Sequence, residues 1–435
     1  MQMKKMIKAD ENHPVYLLVT SILFLLVSSS GHGADLSSAT GKIFGGRGGY
    51  AHPYITVAAQ YEDNVYQTDD DTVSDTAVVV SPGIWVAFPR TRKKVVNVNT
   101  STMTPGGLGM VREQPKKFRR FQSYLHYGAD LTRYASESAN DTNDQRLEGF
   151  FQYNFKGGLS LALLDLYRDG HEGHADGISR DIDEYKSNLL GGRILYALSP
   201  KFKLQGDYKY FTLDYDSHDN AYRDRDDQSG AAYLFYRYSS KTTFFTEYDF
   251  VDIAYDNDAL LDSEEHHFYG GMRWQITGKT AGEFKVGYLV KQFDDPLIGD
   301  TGDVIVQLWG DYRVSGKGRI KIGLARMSEE PDIYSRQSVL ANSVDLTYFH
   351  KLNGKMRLSA RVGYELRSYD GLSTYQDSQA QDREDDAYQA GVGFEYWIQR
   401  WLNVRADYQY FRQDSDISAF SYTDNRFLLR CTLTM

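Results

Sequence analysis

The sequence contains one short run of metal-ligand residue types, His171-Glu172-Gly173-His174. Zinc proteases place two histidines on one face of a helix in the pattern His-Glu-x-x-His. The spacing here is one residue shorter, in a stretch rich in glycine and aspartate. No Gly-x-Ser-x-Gly motif is present. We therefore predict no metal, no cofactor and no enzyme activity. Catalytic residues that meet only in space, as in outer-membrane hydrolases, remain an open alternative.

A basic stretch lies between residues 90 and 120. It carries nine basic residues and one acidic residue, a net charge of +8 in a chain of net charge −10. The basic residues are Arg90, Arg92, Lys93, Lys94, Arg112, Lys116, Lys117, Arg119 and Arg120. Such a stretch can attract an anionic polymer. Two interpretations stay open: a disordered loop near anionic lipid head groups, or a segment that gathers an acidic substrate or folds partly into a pore.

A second set of side chains lies at alternate positions of the predicted β-strands described below, on the face that would point to the inside of a barrel. We expect these residues to line a lumen and to form the solute path: Arg273, Lys285, Arg313, Arg319, Lys321, Arg357, Arg361, Arg405, Arg426, Arg430, Trp309, Trp397 and Trp401. Rings of Arg and Lys set anion preference in pores, and flat aromatic faces suit sugar rings. Glutamates and aspartates lie on the same phase, so paired ladders that simply hold a barrel interior together are the alternative.

The elements that would position these residues are β-strands. At the C-terminus, Phe427, Leu429, Cys431, Leu433 and Met435 alternate with mostly polar residues, as in a strand with two different faces. The same period predicts eighteen strands, at residues 53–66, 75–89, 119–135, 145–156, 158–169, 184–198, 200–215, 227–239, 241–255, 264–277, 280–293, 303–315, 317–328, 341–352, 354–369, 384–398, 400–414 and 424–435.

The connections between these strands alternate between tight turns and longer acidic loops. An even strand number with this alternation is typical of a transmembrane antiparallel up-and-down β-barrel in the bacterial outer membrane. Sixteen strands are the alternative count. A soluble sandwich gives no reason for the short–long pattern. Both termini and the basic stretch at 90–120 then lie on the periplasmic side with the short turns. The acidic loops would face outward, as a solvated surface that binds divalent cations shared with lipopolysaccharide.

The composition agrees with a membrane barrel. Tyrosine is over-used, at 34 residues, and suits positions that are apolar at one end and wet at the other. Mean hydropathy is −0.53, which excludes a bundle of membrane helices. One cysteine excludes an intramolecular disulfide framework. The acidic net charge argues against nucleic acid as a partner.

The N-terminus has the features of a secretory signal peptide. Lys4, Lys5 and Lys8 precede an apolar run, Val15 to Val27, which small residues follow. We predict a signal peptide at 1–34, a glycine-rich flexible lead-in at 35–52 and the barrel at 53–435. A membrane-anchor helix is the alternative for the apolar run, which is short for a span.

The stretch Pro53 to Tyr66 resembles the opening of the putative beta-barrel porin 2 family. In that family a first strand ends in Tyr-x-Asp-Asn-Val/Ile-Tyr/Phe, followed by an acidic loop and a strand with Ser/Thr-Pro-Gly. The matching residues are Tyr61 to Tyr66, Asp69 to Asp75 and Ser81-Pro82-Gly83. The ending, Tyr422 to Arg426, also resembles the closing strand of the family. Two departures are the terminal Met435 in place of Phe and the long basic connection.

Members of this family are often associated with exopolysaccharide export. The resemblance therefore implies a passive outer-membrane conduit for a secreted, possibly acidic, polysaccharide. Partners would be outer-membrane lipid and lipopolysaccharide, the polysaccharide itself, and periplasmic export or synthase proteins, and we expect a monomer. A general or anion-preferring diffusion porin for small solutes or oligosaccharides is the alternative, because a barrel serves either function. A surface adhesion protein is a third.

Overall fold

The computed structural model describes residues 50–435 except 92–95, 99, 108–111, 114–118, 175–180, 258–260, 297, 332–337 and 374–380. The predicted signal peptide and most of the lead-in lie outside the described residues. The described residues form twenty strands: β1 Ala51–Glu62, β2 Asp75–Phe88, β3 Val96–Asn97, β4 Arg112–Glu113, β5 Phe121–Tyr134, β6 Thr142–Asn154, β7 Leu159–Glu172, β8 Asp183–Ala197, β9 Phe202–Tyr215, β10 Arg225–Arg237, β11 Thr242–Tyr255, β12 Ser263–Thr277, β13 Thr280–Phe293, β14 Thr301–Tyr312, β15 Gly318–Glu329, β16 Val339–Lys351, β17 Met356–Ser373, β18 Gln381–Gln399, β19 Leu402–Ser415 and β20 Tyr422–Thr434.

Eighteen of these strands form one closed antiparallel barrel. Each strand pairs with the next along the chain, β2 pairs directly with β5, and β20 closes the barrel on β1. The closing register sets Val57 opposite Cys431. Closure leaves no unpaired edge, which a membrane does not tolerate. The predicted fold class and the preferred strand number are confirmed, and the strand ends differ from the predicted ends by a few residues.

The connections divide the barrel into two rims. At the short-turn rim, seven turns of two to five residues join the strands, for example at 400–401 and 313–317. At the long-loop rim the connections are six to twelve residues long. Short 3₁₀ helices occur at Ser138–Asn140, His218–Arg223 and Ser418–Phe420. No helix in the described part of the chain is long and apolar enough to cross a membrane.

Side chains alternate between the two faces of the wall, as the sequence period predicts. On β20, Phe427, Leu429 and Leu433 are exposed on the outer face, and Arg426 and Thr432 are buried toward the interior. Cys431 lies on the outer face. This places an apolar belt outside and a more polar lining inside.

The connection between β2 and β5 departs from the pattern of short turns. It contains β3, β4 and a 3₁₀ turn at Pro105–Gly107. Its described central residues do not extend into solvent at the short-turn rim. They enter the barrel and are buried there.

Candidate functional site

We call residues 96–107 the lumenal segment; residue 99 within it is not described. Ahead of the segment, the chain lies close to the wall at Thr91, whose carbonyl accepts a hydrogen bond from the Trp85 indole N–H at 3.0 Å. Val96 and Val98 are then buried, and Val98 has no exposed surface. They join a core cluster with inward residues of β2 and β5–β9, which include Trp85, Tyr124, Phe150, Leu166, Leu189 and Phe211.

The tip of the lumenal segment, Thr102–Gly107, reaches the opposite end of the barrel. Arg225, the first residue of β10, donates to the Thr102 carbonyl at 2.6 Å. The Gly106 amide donates to Asp227 Oδ2 at 2.8 Å. The Glu330 amide, just after β15, donates to the Met103 carbonyl at 2.6 Å. These partners all lie at or near the long-loop rim, so the segment spans the height of the lumen.

A collar of buried charges surrounds the tip. Its ion pairs are Arg225–Asp227 at 3.2 Å, Arg223–Glu172 at 2.7 Å, and Lys291 with Glu330 at 2.5 Å and with Glu265 at 3.4 Å. The Tyr255 hydroxyl donates to Glu330 at 2.7 Å, and Thr102 donates to Glu172. Burial lowers the pKa of Arg223, but the Glu172 carboxylate more than reverses this, so that pKa lies well above its usual value. Arg223 therefore stays charged, and the ion pairs and hydrogen bonds of the collar hold the tip in place.

Two glycines give the tip its shape. Gly106 and Gly107 have φ of +67° and +65°, a left-handed conformation that L-residues with a side chain disfavour. A Cβ at Gly107 would overlap the ring of Phe211. The segment thus fits against β9 only because a glycine stands at this position.

A cavity of about 430 Å³ lies below the tip, between the tip and the inner faces of β8–β15. Thr104 and Pro105 of the tip line one end, and Ser240 and Lys241 of a short turn line the other. Its wall carries charge pairs, among them Arg193–Asp207 at 2.8 Å and Lys285–Glu247 at 2.5 Å. Tyrosine and tryptophan side chains also contribute: Tyr233, Tyr269, Trp274 and Trp309.

Most of the predicted lumen residues occupy inward positions of the wall. Their ion pairs are Arg273–Glu283, Lys285–Glu247, Arg319–Asp311, Arg357–Glu395, Arg361–Asp345, Arg405–Asp407, Arg426–Asp424 and Arg430–Asp407. Lys321 lies 5.5 Å from the ring centre of Phe349. Trp309 lines the cavity, and Trp397 follows two positions after the inward Glu395.

Two predicted lumen residues lie beyond the strands. Arg313 follows the end of β14 and is exposed at the short-turn rim. Trp401 lies in the turn between β18 and β19 and is 50% exposed. The prediction of an inward side chain was wrong at both positions, because it continued the strand alternation past the end of the strand. The backbone turns there, and successive side chains no longer alternate between the two faces.

The basic connection is only partly described. Arg90 lies 4.6 Å from the ring centre of Tyr50, and Arg120 donates to the Tyr153 hydroxyl at 2.7 Å. Arg119 and Arg120 are exposed near the short-turn rim. Arg92, Lys93, Lys94, Lys116 and Lys117 fall outside the described residues, as does the side chain of Arg112. Of the two interpretations of this stretch, folding into the barrel holds for residues 96–107, which carry no charged side chain.

The histidine pair engages two different partners. His171 Nδ1 lies 2.8 Å from Asp144, and His174 Nε2 lies 2.8 Å from the Asn140 side-chain oxygen. The described residues contain no cluster of three or more His, Cys, Asp or Glu placed to hold a metal ion.

The lumenal segment was not singled out by the sequence, although a signal for it exists. Inward positions of a barrel are normally polar. On β6–β9 they carry Phe150, Leu166, Leu189, Phe211 and Leu213 instead, all buried. Apolar residues on both faces of consecutive strands indicate that something other than water covers the inner face.

The sequence matches a known protein family over most of its length. The family described as putative beta-barrel porin 2 matches residues 118–435. The chain belongs to this family. Together with the closed eighteen-stranded barrel, this makes the protein a porin-like β-barrel of the bacterial outer membrane. The match begins after the lumenal segment, and no curated protein matches the chain.

Solved structures of outer-membrane proteins are similar at a low level. Pseudomonas aeruginosa OpdK with vanillate has 12% identity and a TM-score of 0.43, and the alignment covers 88% of this chain and 99% of that one. Acinetobacter baumannii OccAB3 has 10% identity and a TM-score of 0.43, with the same coverage.

Proposed function

We propose that the protein is a passive outer-membrane channel for small, polar, saccharide-like solutes, closed at the long-loop rim by the tip of the lumenal segment. The observation that carries this is the cavity of about 430 Å³ with Thr104 and Pro105 as its cover. Cavities of about 300–1,000 Å³ accommodate small molecules. A polymer chain would need the tip to leave its place.

The lining favours a solute without a large net charge. Around the cavity, basic side chains such as Arg193, Arg273 and Lys285 each have a carboxylate partner. Paired charges offer hydrogen-bond donors and acceptors at little net potential, whereas anion-selective pores present unpaired Arg and Lys rings. Polar groups beside the faces of Tyr269 and Trp309 suit a sugar.

Export of a secreted polysaccharide is the second candidate. It is supported by the family resemblance and by the way the lumenal segment is attached. Both ends of the connection leave the short-turn rim, from β2 and β5, which pair with each other. Withdrawal of the tip would therefore clear the lumen without breaking any strand pairing. In this proposal both termini and the short turns face the periplasm, where export partners would bind, and the barrel works as a monomer among lipopolysaccharide.

Reconstitution separates the two candidates. Purified protein in liposomes is assayed for uptake of a neutral disaccharide, of a singly charged sugar of similar size and of a long dextran. Uptake of the disaccharide above the rate of protein-free vesicles supports the small-solute channel. A deletion strain is tested in parallel for surface and periplasmic polysaccharide. Loss of surface glycan with accumulation in the periplasm, and no disaccharide uptake, would favour export instead.

A disulfide lock tests the role of the tip. A Cβ built at Gly106 lies 3.5 Å from Ser229 Cβ, within the range that disulfides span. The double variant Gly106→Cys/Ser229→Cys is made with Cys431→Ser, which removes the native thiol. We expect reduction to raise disaccharide uptake and oxidation to suppress it. In the Cys431→Ser background, Gly106→Cys alone controls for a side chain at the left-handed residue 106, and Ser229→Cys alone controls for loss of the Ser229 hydroxyl. Equal uptake in both redox states would show that the tip does not close the channel.

A further inference from the structure

Three polar side chains stand together on the inner faces of β9, β10 and β11. Lys209 and Ser229 are directly opposite each other in the β9–β10 register. Asp249 is opposite Ala231, two positions along β10 from Ser229. All three line the cavity below the tip. They form one continuous patch across three neighbouring strands.

Part of the hydrogen-bonding capacity of this patch has no partner among the described residues. Ser229 is only 3% exposed, and among the described residues its hydroxyl has no hydrogen-bond partner. Asp249 Oδ1 is likewise buried and has no such partner. Lys209 has neither a hydrogen bond nor an ion pair within the described part of the chain. Nearby, Lys285 and Glu247 are paired at 2.5 Å.

Buried polar groups in proteins are almost always hydrogen-bonded, because a buried donor or acceptor without a partner is unfavourable. Ser229 Oγ and Asp249 Oδ1 are two such atoms, and the Lys209 ammonium group lines the same cavity beside them, so the patch favours a ligand that supplies the missing partners. The ligand must accept a hydrogen bond from an ammonium group and donate one to a carboxylate. A sugar hydroxyl does both, since it is a donor and an acceptor.

We propose that Lys209, Ser229 and Asp249 form a binding site for one neutral sugar unit. The opposite charges of Lys209 and Asp249 sum to zero, which matches an uncharged ligand. Tyr233 and Trp309 line the same cavity and provide aromatic surfaces for the C–H faces of a sugar ring. This proposal deepens the proposed channel function and rests on it. The site would bind the solute transiently on its path through the barrel, directly below the tip.

Equilibrium dialysis of the full-length protein in detergent, with radiolabelled maltose, measures binding without requiring transport. We expect saturable binding that Ser229→Ala, Lys209→Met and Asp249→Asn each weaken, by about tenfold or more for the two charged positions, because hydrogen bonds to charged groups contribute most. The matched controls are Lys203→Met, exposed on β9 outside the cavity, and Asp252→Asn, on the other face of β11. Circular dichroism and thermal unfolding confirm that each variant is folded.

The possible outcomes test the sugar-binding site and the channel function separately. Equal affinity in Asp249→Asn and Asp252→Asn, with both folded, would overturn the site, as would tighter binding of zwitterionic glutamine than of maltose. Disaccharide uptake into liposomes without saturable binding would also overturn the site, while the channel stands. Saturable binding that depends on Asp249, without any uptake, would support the site and reject the channel.

Discussion

The inner wall of this barrel has two regions that differ in chemistry. The covered wall, on β2 and β5–β9, consists of the aromatic and aliphatic residues packed under the lumenal segment. Trp85 stacks on Tyr124 with ring centres 4.7 Å apart, and Tyr124 on Phe150 at 5.3 Å. The open wall, on β15–β19, carries Arg319, Arg357, Arg361 and Arg405 with their acidic partners.

The difference reflects what each region contacts. Phe211 of the covered wall is 1% exposed, whereas the Arg319 side chain of the open wall is 37% exposed. Apolar side chains inside a barrel are stable only where protein excludes water from them, and charged ladders are stable where water remains. The residue types at the inward positions thus indicate which part of the lumen is filled by the lumenal segment.

Removing the lumenal segment should have the largest effect. Replacing residues 91–118 with a short glycine–serine linker leaves β2 and β5 intact but exposes the covered wall. Loss of the buried Val96 and Val98 alone removes about 1.5–3 kcal/mol for each side chain. We expect a lower unfolding temperature and a much larger single-channel conductance. A barrel with unchanged conductance would show that the segment does not limit the pore.

Gly107→Ala should undock the tip and leave the barrel intact. The added Cβ meets the Phe211 ring and the backbone is left-handed at this residue. Overpacking costs about 1–3 kcal/mol, so the open fraction in bilayer recordings should rise by about fivefold or more. Gly157→Ala is the control, since a Cβ there has no atom within 4 Å. Identical recordings from both variants would contradict the fit of the tip against β9.

Leu189→Ala tests the covered wall by a stability measurement. Leu189 is buried in the cluster under the segment, and truncating a buried leucine costs about 2–5 kcal/mol. Unfolding in detergent should show this loss. In the linker variant, where nothing covers Leu189, the same substitution should cost much less. An equal cost in both backgrounds would mean that the segment does not pack on this wall.

Arg361→Ala should have the smallest effect on stability. Arg361 pairs with Asp345 at 2.6 Å in the partly exposed open wall, where ion pairs contribute about 0–1 kcal/mol. Removing the cation leaves Asp345 unpaired, so we expect a shift of ion selectivity toward cations in reversal-potential measurements. Asp345→Asn should shift selectivity in the opposite direction. A large loss of stability in Arg361→Ala would contradict the difference between the two walls.

Much of the fold could be predicted from the sequence because a barrel strand repeats every two residues. Phe427 to Leu433 and the other alternating runs gave the strands, and strand phase gave inward positions such as Arg361 and Arg405. The path of the lumenal segment could not be predicted, since it depends on contacts between residues far apart in the chain. Gly106 meets Asp227 and Met103 meets Glu330, and no periodicity links them. The sequence prediction relied on the charged residues at the ends of the basic connection. The contacts inside the barrel are made by its uncharged central residues.

The direct pairing of β2 with β5 has a consequence for how such channels diversify. Because these strands are neighbours in the barrel, the wall closes whatever lies between them in the chain. The connection can lengthen, shorten or change composition over evolution without any alteration of strand number or register. Pore size and solute preference can then vary through one insertion, and the family can hold a constant barrel while its members specialise through an exchangeable interior part.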